Sequence, residues 1–250
     1  MPLDDLGHPV AIAPDVTRIV SLVPSLTESI AATRPETLVG ATDWCTHPAD
    51  LDVTRIRGTK NPHVQAIIDL APHLVLANKE ENRELDVKRL RAAGVPVWVT
   101  DITTVEGAFT SLRRMFLEAL RWDLPAWLIE AEAVWLQPFP APRARAAIPI
   151  WRDPWMVVGS STFTGDLALK LGLTNAFATS PDRYPHVELD QIDDPDIDLV
   201  LLPDEPYVFS ADDGPEAFLH APTRLVEGRL LTWYGPSLVH AHATLLKQIR

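Results

Sequence analysis

Cysteine, methionine and tyrosine are scarce in this chain: one, three and three among 250 residues. A lone Cys45 excludes an intrachain disulfide and gives no support for an oxidising compartment. Cationic side chains are also in deficit, with 22 Lys and Arg against 34 Asp and Glu, a net charge of −12. A nucleic-acid surface needs clustered Lys and Arg, so that class is excluded. No apolar run approaches the roughly 18 uncharged residues of a membrane-spanning helix. The N-terminus, MPLDDLGHPVAIAPDVTRIV, has two early acids and no basic segment before a long apolar stretch, so it does not read as a secretory signal. If the sequence is full-length it is expected in the cytoplasm; if a leader was removed, outside it. The GxSxG, HExxH and GxGxxG signatures are missing, and Ser160–Asp166 lacks the GKS/T ending of a P-loop, so no enzyme is expected.

What the chain does have is a phrase written twice. Residues 67–82 read IIDLAPHLVLANKEEN and residues 192–207 read IDDPDIDLVLLPDEPY. Each runs from a helix end through a proline and an apolar run (Leu74–Leu76, Leu199–Leu201) into a polar, acid-containing loop. Unbroken apolar runs suit parallel strands covered on both faces, and ligands of open α/β sheets bind at the strands' carboxyl ends. The expectation is an α/β protein of two Rossmann-like lobes with mainly parallel sheets and a ligand in the cleft between them. At 250 residues two small domains are affordable.

Along the chain, strands are expected at Arg18–Val23, Leu38–Ala41, Leu74–Ala77 and Val95–Thr100, with helices near Val64–Leu70 and Leu85–Ala93. Val105–Arg121 and Pro125–Leu136 carry helical apolar spacing, and the proline-rich residues 137–145 read as irregular. The second half is expected to place strands at Ala147–Trp151, Leu199–Leu202 and Leu230–Thr232, with helices at Asp166–Leu171 and at the C-terminus. The domain expectation is therefore an N-terminal lobe (1–103), connector helices with a Pro-rich link (104–145), and a C-terminal lobe (146–250).

The loops carry the candidate chemistry. Lys60, Asn61, Asn78, Lys79 and Glu80 gather donors and acceptors where first-lobe strands end, as a ligand with polar side arms requires; the alternative is a solvated loop that caps the next helix. Trp44, Trp151, Trp155, Trp233 and Tyr234 fall in loops that core periodicity does not claim, and flat rings there suit a planar ligand; the alternative is packing. Glu205 and Tyr207 stand at the second-lobe counterpart of Lys79–Glu81. Cys45 and His47, one residue apart, offer two ligands for a soft or borderline metal, with Glu80 or Glu205 as a third; the alternative is a half-buried thiol beside a loop histidine. His240 and His242, at i,i+2 on the last helix, are expected in solvent.

The succession RIVSLVPSLTE, DWCTHP, RGTKNP, LAPHLVLANKEEN and LRAAGVPVWVTD resembles the cobalamin and iron-siderophore substrate-binding proteins of ABC importers. This is the helical backbone metal receptor group, or class III periplasmic binding proteins. The resemblance runs from about Thr17 to the C-terminus and implies two lobes joined by a rigid helix, a metal chelate between them, and no catalysis. It places Trp44 and Trp233 as rings beside a corrin, and residues 151–155 (Trp151, Arg152, Trp155 among them) on a ligand-facing loop. A cobalamin-like corrinoid or another metal chelate would then be the ligand, and no cofactor is implied beyond it. Two departures matter: Lys60 stands where cobalamin binders have tryptophan, and Gln65 replaces the first of two acids that dock on the permease, leaving Asp190 for the second. The runner-up is a cytoplasmic metal-dependent enzyme on the same fold, using Cys45, His47 and Glu80.

Overall fold

Val, Ile and Leu in short unbroken runs build the first sheet, and these residues are almost wholly buried because helices cover both faces. A computed structural model describes residues 1–138 and 141–250; Phe139 and Pro140, within the expected Pro-rich link, lie outside the described residues. The chain divides into two units. The first comprises Met1–Ile102, Ala108–Ile129 and Tyr234–Pro236, and the second Thr103–Gly107, Glu130–Trp233 and Ser237–Arg250. Residues 104–145, expected as a separate connector, are divided between them.

The first unit runs β1 (Ile19–Ser21), α1 (Pro24–Ala31), β2 (Leu38–Ala41), β3 (Thr54–Arg55), α2 (Val64–Asp69), β4 (Leu74–Asn78), α3 (Glu84–Ala92) and β5 (Val97–Thr100). Every strand pair is parallel and the order is β3-β2-β1-β4-β5. Successive strands step outward from β1 in one direction, then restart beside it with β4. That reversal is a topological switch, where the loops after β1 and β4 part and leave a crevice at the sheet's carboxyl edge. Pro24 opens α1, where its missing N–H costs nothing. In α3, Glu84 and Asp86 lie in the first turn and Arg89 and Arg91 toward the last, matching the helix dipole at both ends. Helix α4 (Val105–Arg114) continues into a π-helical segment, Met115–Leu120, and α5 (Ala126–Trp135) follows. Val105, Ala108, Phe109, Leu112, Met115 and Phe116 form the buried stripe along α4 and its extension.

Strand β5 lies at the sheet edge, and the N-terminal segment covers it. The Asp5 N–H donates to Val99 O (3.1 Å), and the Asp101 N–H donates to the Asp5 carboxylate (3.1 Å). Arg91 donates to Val97 O (3.1 Å) while paired with the buried Asp4 (2.6 Å). Arg114 pairs with Asp5 at 2.5 Å and lies over the Trp98 ring. Outward-facing polar groups of an edge strand, which would otherwise invite another chain, are thus occupied.

The second unit contains β6 (Ala144–Ala147), β7 (Pro149–Trp151), β8 (Met156–Val157), α6 (Phe163–Lys170), β9 (Leu173–Asn175), α7 (Leu189–Ile192), β10 (Leu199–Pro203), β11 (Thr223–Val226), α8 (Gly228–Thr232) and α9 (Leu238–Gln248). Its main sheet is parallel, ordered β11-β10-β6-β9, and β7 and β8 form a separate antiparallel pair. Three expectations fail here. Leu230–Thr232 is helical, because a three-residue apolar run carries no period of its own. The partner of β10 is instead Thr223–Val226, whose Arg224 hides the strand pattern. Ala144 and Arg145, assigned to the irregular link, already pair with β9. His242 also departs from expectation: it is half-buried, its ring edge-on to Trp135 at 5.2 Å, and burial lowers its pKa.

Candidate functional site

The crevice at the β1/β4 switch is shaped by two buried asparagines. Asn78 ends β4, accepts the N–H groups of Glu80 (2.8 Å) and Glu81 (3.2 Å), and donates to Thr100 Oγ1 (3.1 Å). Asn82 accepts the Asn78 N–H (2.8 Å) and donates to Leu22 O (3.2 Å) and Thr59 O (3.1 Å), tying the loops after β1, β3 and β4 together. Asn78, a candidate ligand contact from sequence, therefore spends its amide on the loop. The crevice is filled by Tyr234–Pro236. Tyr234 is 5% exposed, its N–H donates to Ser25 Oγ (3.3 Å), and its hydroxyl donates to Glu81 (3.1 Å). Burial, and then the Glu81 charge, push this phenol well above its ordinary pKa. A Cβ on Gly235 would lie 3.0 Å from Ser25 O and 3.2 Å from Glu28, so a larger residue would seat this closely only if those neighbours gave way by a few tenths of an ångström.

Beside the crevice, the loops after β2 and β3 present what the crevice does not. Trp44 is 66% exposed with no aromatic partner among the described residues. Its indole edge and the Asn61 amide converge on Gly58, where a Cβ would stand 3.1 Å from Trp44 Nε1 and 2.6 Å from Asn61 Oδ1. The missing side chain is what allows the ring to lie there. Lys60 is exposed, and its ammonium donates to Glu80 O, joining the β3 and β4 loops. Lys79 pairs with Asp101 at 2.7 Å. Trp44, Lys60, Asn61, Lys79 and Glu80 thus share the carboxyl edge of one sheet.

Cys45 lies in the same loop but points inward. It is fully buried, with Thr27 Oγ1 at 3.0 Å and Thr42 Oγ1 at 3.1 Å from its sulfur. Burial raises its pKa against the lowering effect of those hydroxyls, so the thiol form is held. His47 is half-exposed, with Nδ1 3.1 Å from Thr46 Oγ1. No group of three metal-binding side chains occurs among the described residues.

In the second unit the expected residues gather in two places. Arg152, next to Trp151 at the end of β7, is held by Asp213 and Glu216 (2.6 Å) and lies over the Trp155 ring at 5.3 Å. Trp151, 47% exposed, stands edge-on to Tyr207 (5.5 Å), whose hydroxyl donates to Asp213 (2.7 Å) and raises the phenol's pKa. Trp155 is 8% exposed, stacked on Phe209 at 6.0 Å and edge-on to Phe218 at 5.5 Å. The core does claim this ring, contrary to the reading of a free loop tryptophan. Glu205 and Trp233 form the second group. The Trp233 side chain and Thr232 Oγ1 (3.2 Å) donate to the Glu205 carboxylate, whose pKa burial nevertheless raises. Trp233 follows a helix and is 6% exposed.

Sequence reasoning passed over Asp193. This carboxylate accepts the backbone N–H groups of Leu219 (2.9 Å), His220 (2.8 Å) and Ala221 (2.8 Å), with His220 Nδ1 at 3.0 Å. Burial would raise its pKa, but these donors win and hold it at about 2. Its only trace in the sequence is an Asp-Asp-Pro-Asp turn.

The fold is that of the class III periplasmic binding proteins, as the sequence resemblance implied. No protein-family model matches the chain. It is 24% identical over 200 residues to the vitamin B12-binding protein of Photorhabdus laumondii, covering 76% of this chain and 71% of the relative. The structure of periplasmic vitamin B12-binding protein BtuF of Vibrio cholerae aligns with a TM-score of 0.74 at 17% identity, covering 94% of this chain and 96% of that one. A periplasmic heme-binding protein from Pseudomonas aeruginosa aligns with the same TM-score at 18% identity, covering 94% and 92%. No described helix is long and apolar enough to cross a membrane.

Proposed function

We propose that the chain is a non-enzymatic solute-binding protein for a metal chelate of the corrinoid, heme or iron-siderophore kind, serving an ABC-type permease or derived from such a receptor. The observation that carries this reading is Trp44: a large indole left exposed at the carboxyl edge of a parallel sheet, seated on a glycine beside Asn61, with Lys60 next to Asn61 in the same turn. An unpartnered ring at the edge where open α/β sheets bind ligands is a surface for a flat molecule. In the second unit the exposed Trp151, with Arg152 and Tyr207, is a further candidate contact surface in its own right. Trp155 lies under Arg152, Tyr234 braces the β4 loop through Glu81, and Trp233 is spent on Glu205. The relatives named for vitamin B12 and heme support the ligand class.

The reading of Cys45, His47 and Glu80 as an enzyme's metal centre gains no support, because the thiol is sequestered between two hydroxyls. Permease docking falls to Asp190, exposed in the first turn of α7. Gln65 occupies the other docking position and donates to Asp69 on its own helix (2.8 Å). Co-elution on gel filtration with cobalamin, hemin or a ferric siderophore, followed by the ligand's visible absorbance, tests the assignment. Stoichiometric co-elution with at least one is expected. No retention of any of the three at tens of micromolar refutes it.

A further inference from the structure

Resting on that reading, we infer that Lys60 makes the first unit select a planar chelate bearing carboxylate side arms over one whose periphery is neutral amide. Lys60 has no carboxylate within ion-pairing distance among the described residues; its ammonium donates to a neutral main-chain carbonyl, Glu80 O. Lys79 differs, since Asp101 matches its charge at 2.7 Å. Glu81, on the same loop as Lys79, accepts the Tyr234 hydroxyl. The carbonyl anchor takes one of three ammonium protons and draws the end of a flexible side chain toward the β4 loop. Part of the ordering cost of binding an anion is then met before the ligand arrives.

The location adds to this. Lys60 belongs to the turn that carries Asn61, and Asn61 and Trp44 converge on Gly58. A flat ligand lying on the indole brings its rim toward this turn. At the rim it meets a cation with two donor protons unspent, together with the Asn61 amide. A neutral amide arm can use only the hydrogen bond, whereas a carboxylate also gains the charge. Against a chain of net charge −12, an anionic ligand needs such a local cation.

The test is a tryptophan-quenching titration with hemin, with hemin whose two propionates are converted to primary amides, and with cobalamin. Hemin is expected to bind roughly tenfold or more tightly than its bis-amide, a preference that shrinks with added salt. In Lys60→Gln that preference should fall to within about twofold, with hemin losing more affinity than its bis-amide, and Lys60→Arg should restore it. Equal affinity for hemin and bis-amide, tighter binding of cobalamin than of hemin, or an undiminished preference in Lys60→Gln each overturns the inference. Failure of all three probes to bind instead overturns the binding-protein reading on which it rests.

Discussion

Removing the Asp193 carboxylate tests whether a single side chain pins the segment that delivers β11 to its sheet. In Asp193→Ala three consecutive N–H groups, those of Leu219, His220 and Ala221, lose their acceptor. Leaving one buried donor unsatisfied costs about 1–3 kcal/mol, and this segment has partial access to water, so a total loss near 3 kcal/mol is expected at neutral pH. The carboxylate also links stability to pH. Its folded pKa of about 2 lies below the unfolded value near 3.8. The ionised, hydrogen-bonded form therefore contributes in full above the unfolded value, and the contribution is lost as pH falls toward 2. The shift alone would correspond to roughly 2 kcal/mol, and solvent screening brings it to about 1 kcal/mol. Urea denaturation of both proteins at pH 6 and pH 3 measures this. The gap between wild type and Asp193→Ala should narrow by about 0.5–1 kcal/mol at the lower pH. A loss under about 0.5 kcal/mol at pH 6, or a gap that does not narrow, refutes the reasoning.

Further perturbations separate scaffold from surface. Trp155→Ala should cost about 3–5 kcal/mol in urea denaturation, since it empties the ring stack with Phe209 and Phe218; a loss below about 1 kcal/mol contradicts the packing account. Trp44→Ala, at an exposed ring, should change stability by less than about 0.5 kcal/mol, and a larger loss would show that the indole serves the fold. Asp4→Ala, which unpairs Arg91 at the covered edge of β5, should cost about 1–3 kcal/mol and speed proteolytic clipping of the first residues; an unchanged clipping rate contradicts the role of the N-terminal segment as the cover of β5. Cys45 should react with an aromatic disulfide at least about a hundredfold more slowly than a free thiol until the chain is unfolded. Reaction at the free-thiol rate, or stoichiometric zinc that disappears in Cys45→Ser, would return the loop to metal chemistry.

The parallel strands were legible because each is a continuous apolar run with a turn at its end, a pattern that needs no partner to be read. β1, β2, β4 and β5 all came from that signal, as did β10 through its repeat of the β4 phrase. The failures share a cause. Leu230–Thr232 and Thr223–Val226 are too short for period to distinguish helix from strand, and what makes the second of them the strand is pairing with β10, a contact distant in sequence. For Trp155, Trp233 and Tyr234 the sequence leaves a ligand-facing ring and a packed one open, since loop residues show no periodic burial. Their burial is set by Phe209, Glu205 and Glu81, none of which is local in sequence. Trp44 and Lys60 survive as surface groups for the opposite reason: a glycine and a main-chain carbonyl place them without covering them.

The central claim is that the exposed indole of Trp44 is a ligand surface. Cobalamin and hemin titrations followed by tryptophan fluorescence, corrected for absorption by the ligand and run on wild type and Trp44→Ala side by side, test it most directly. Strong, saturable quenching at one equivalent by at least one ligand, with affinity falling at least about tenfold in Trp44→Ala, is the predicted result. Equal affinity in the two proteins would contradict the claim.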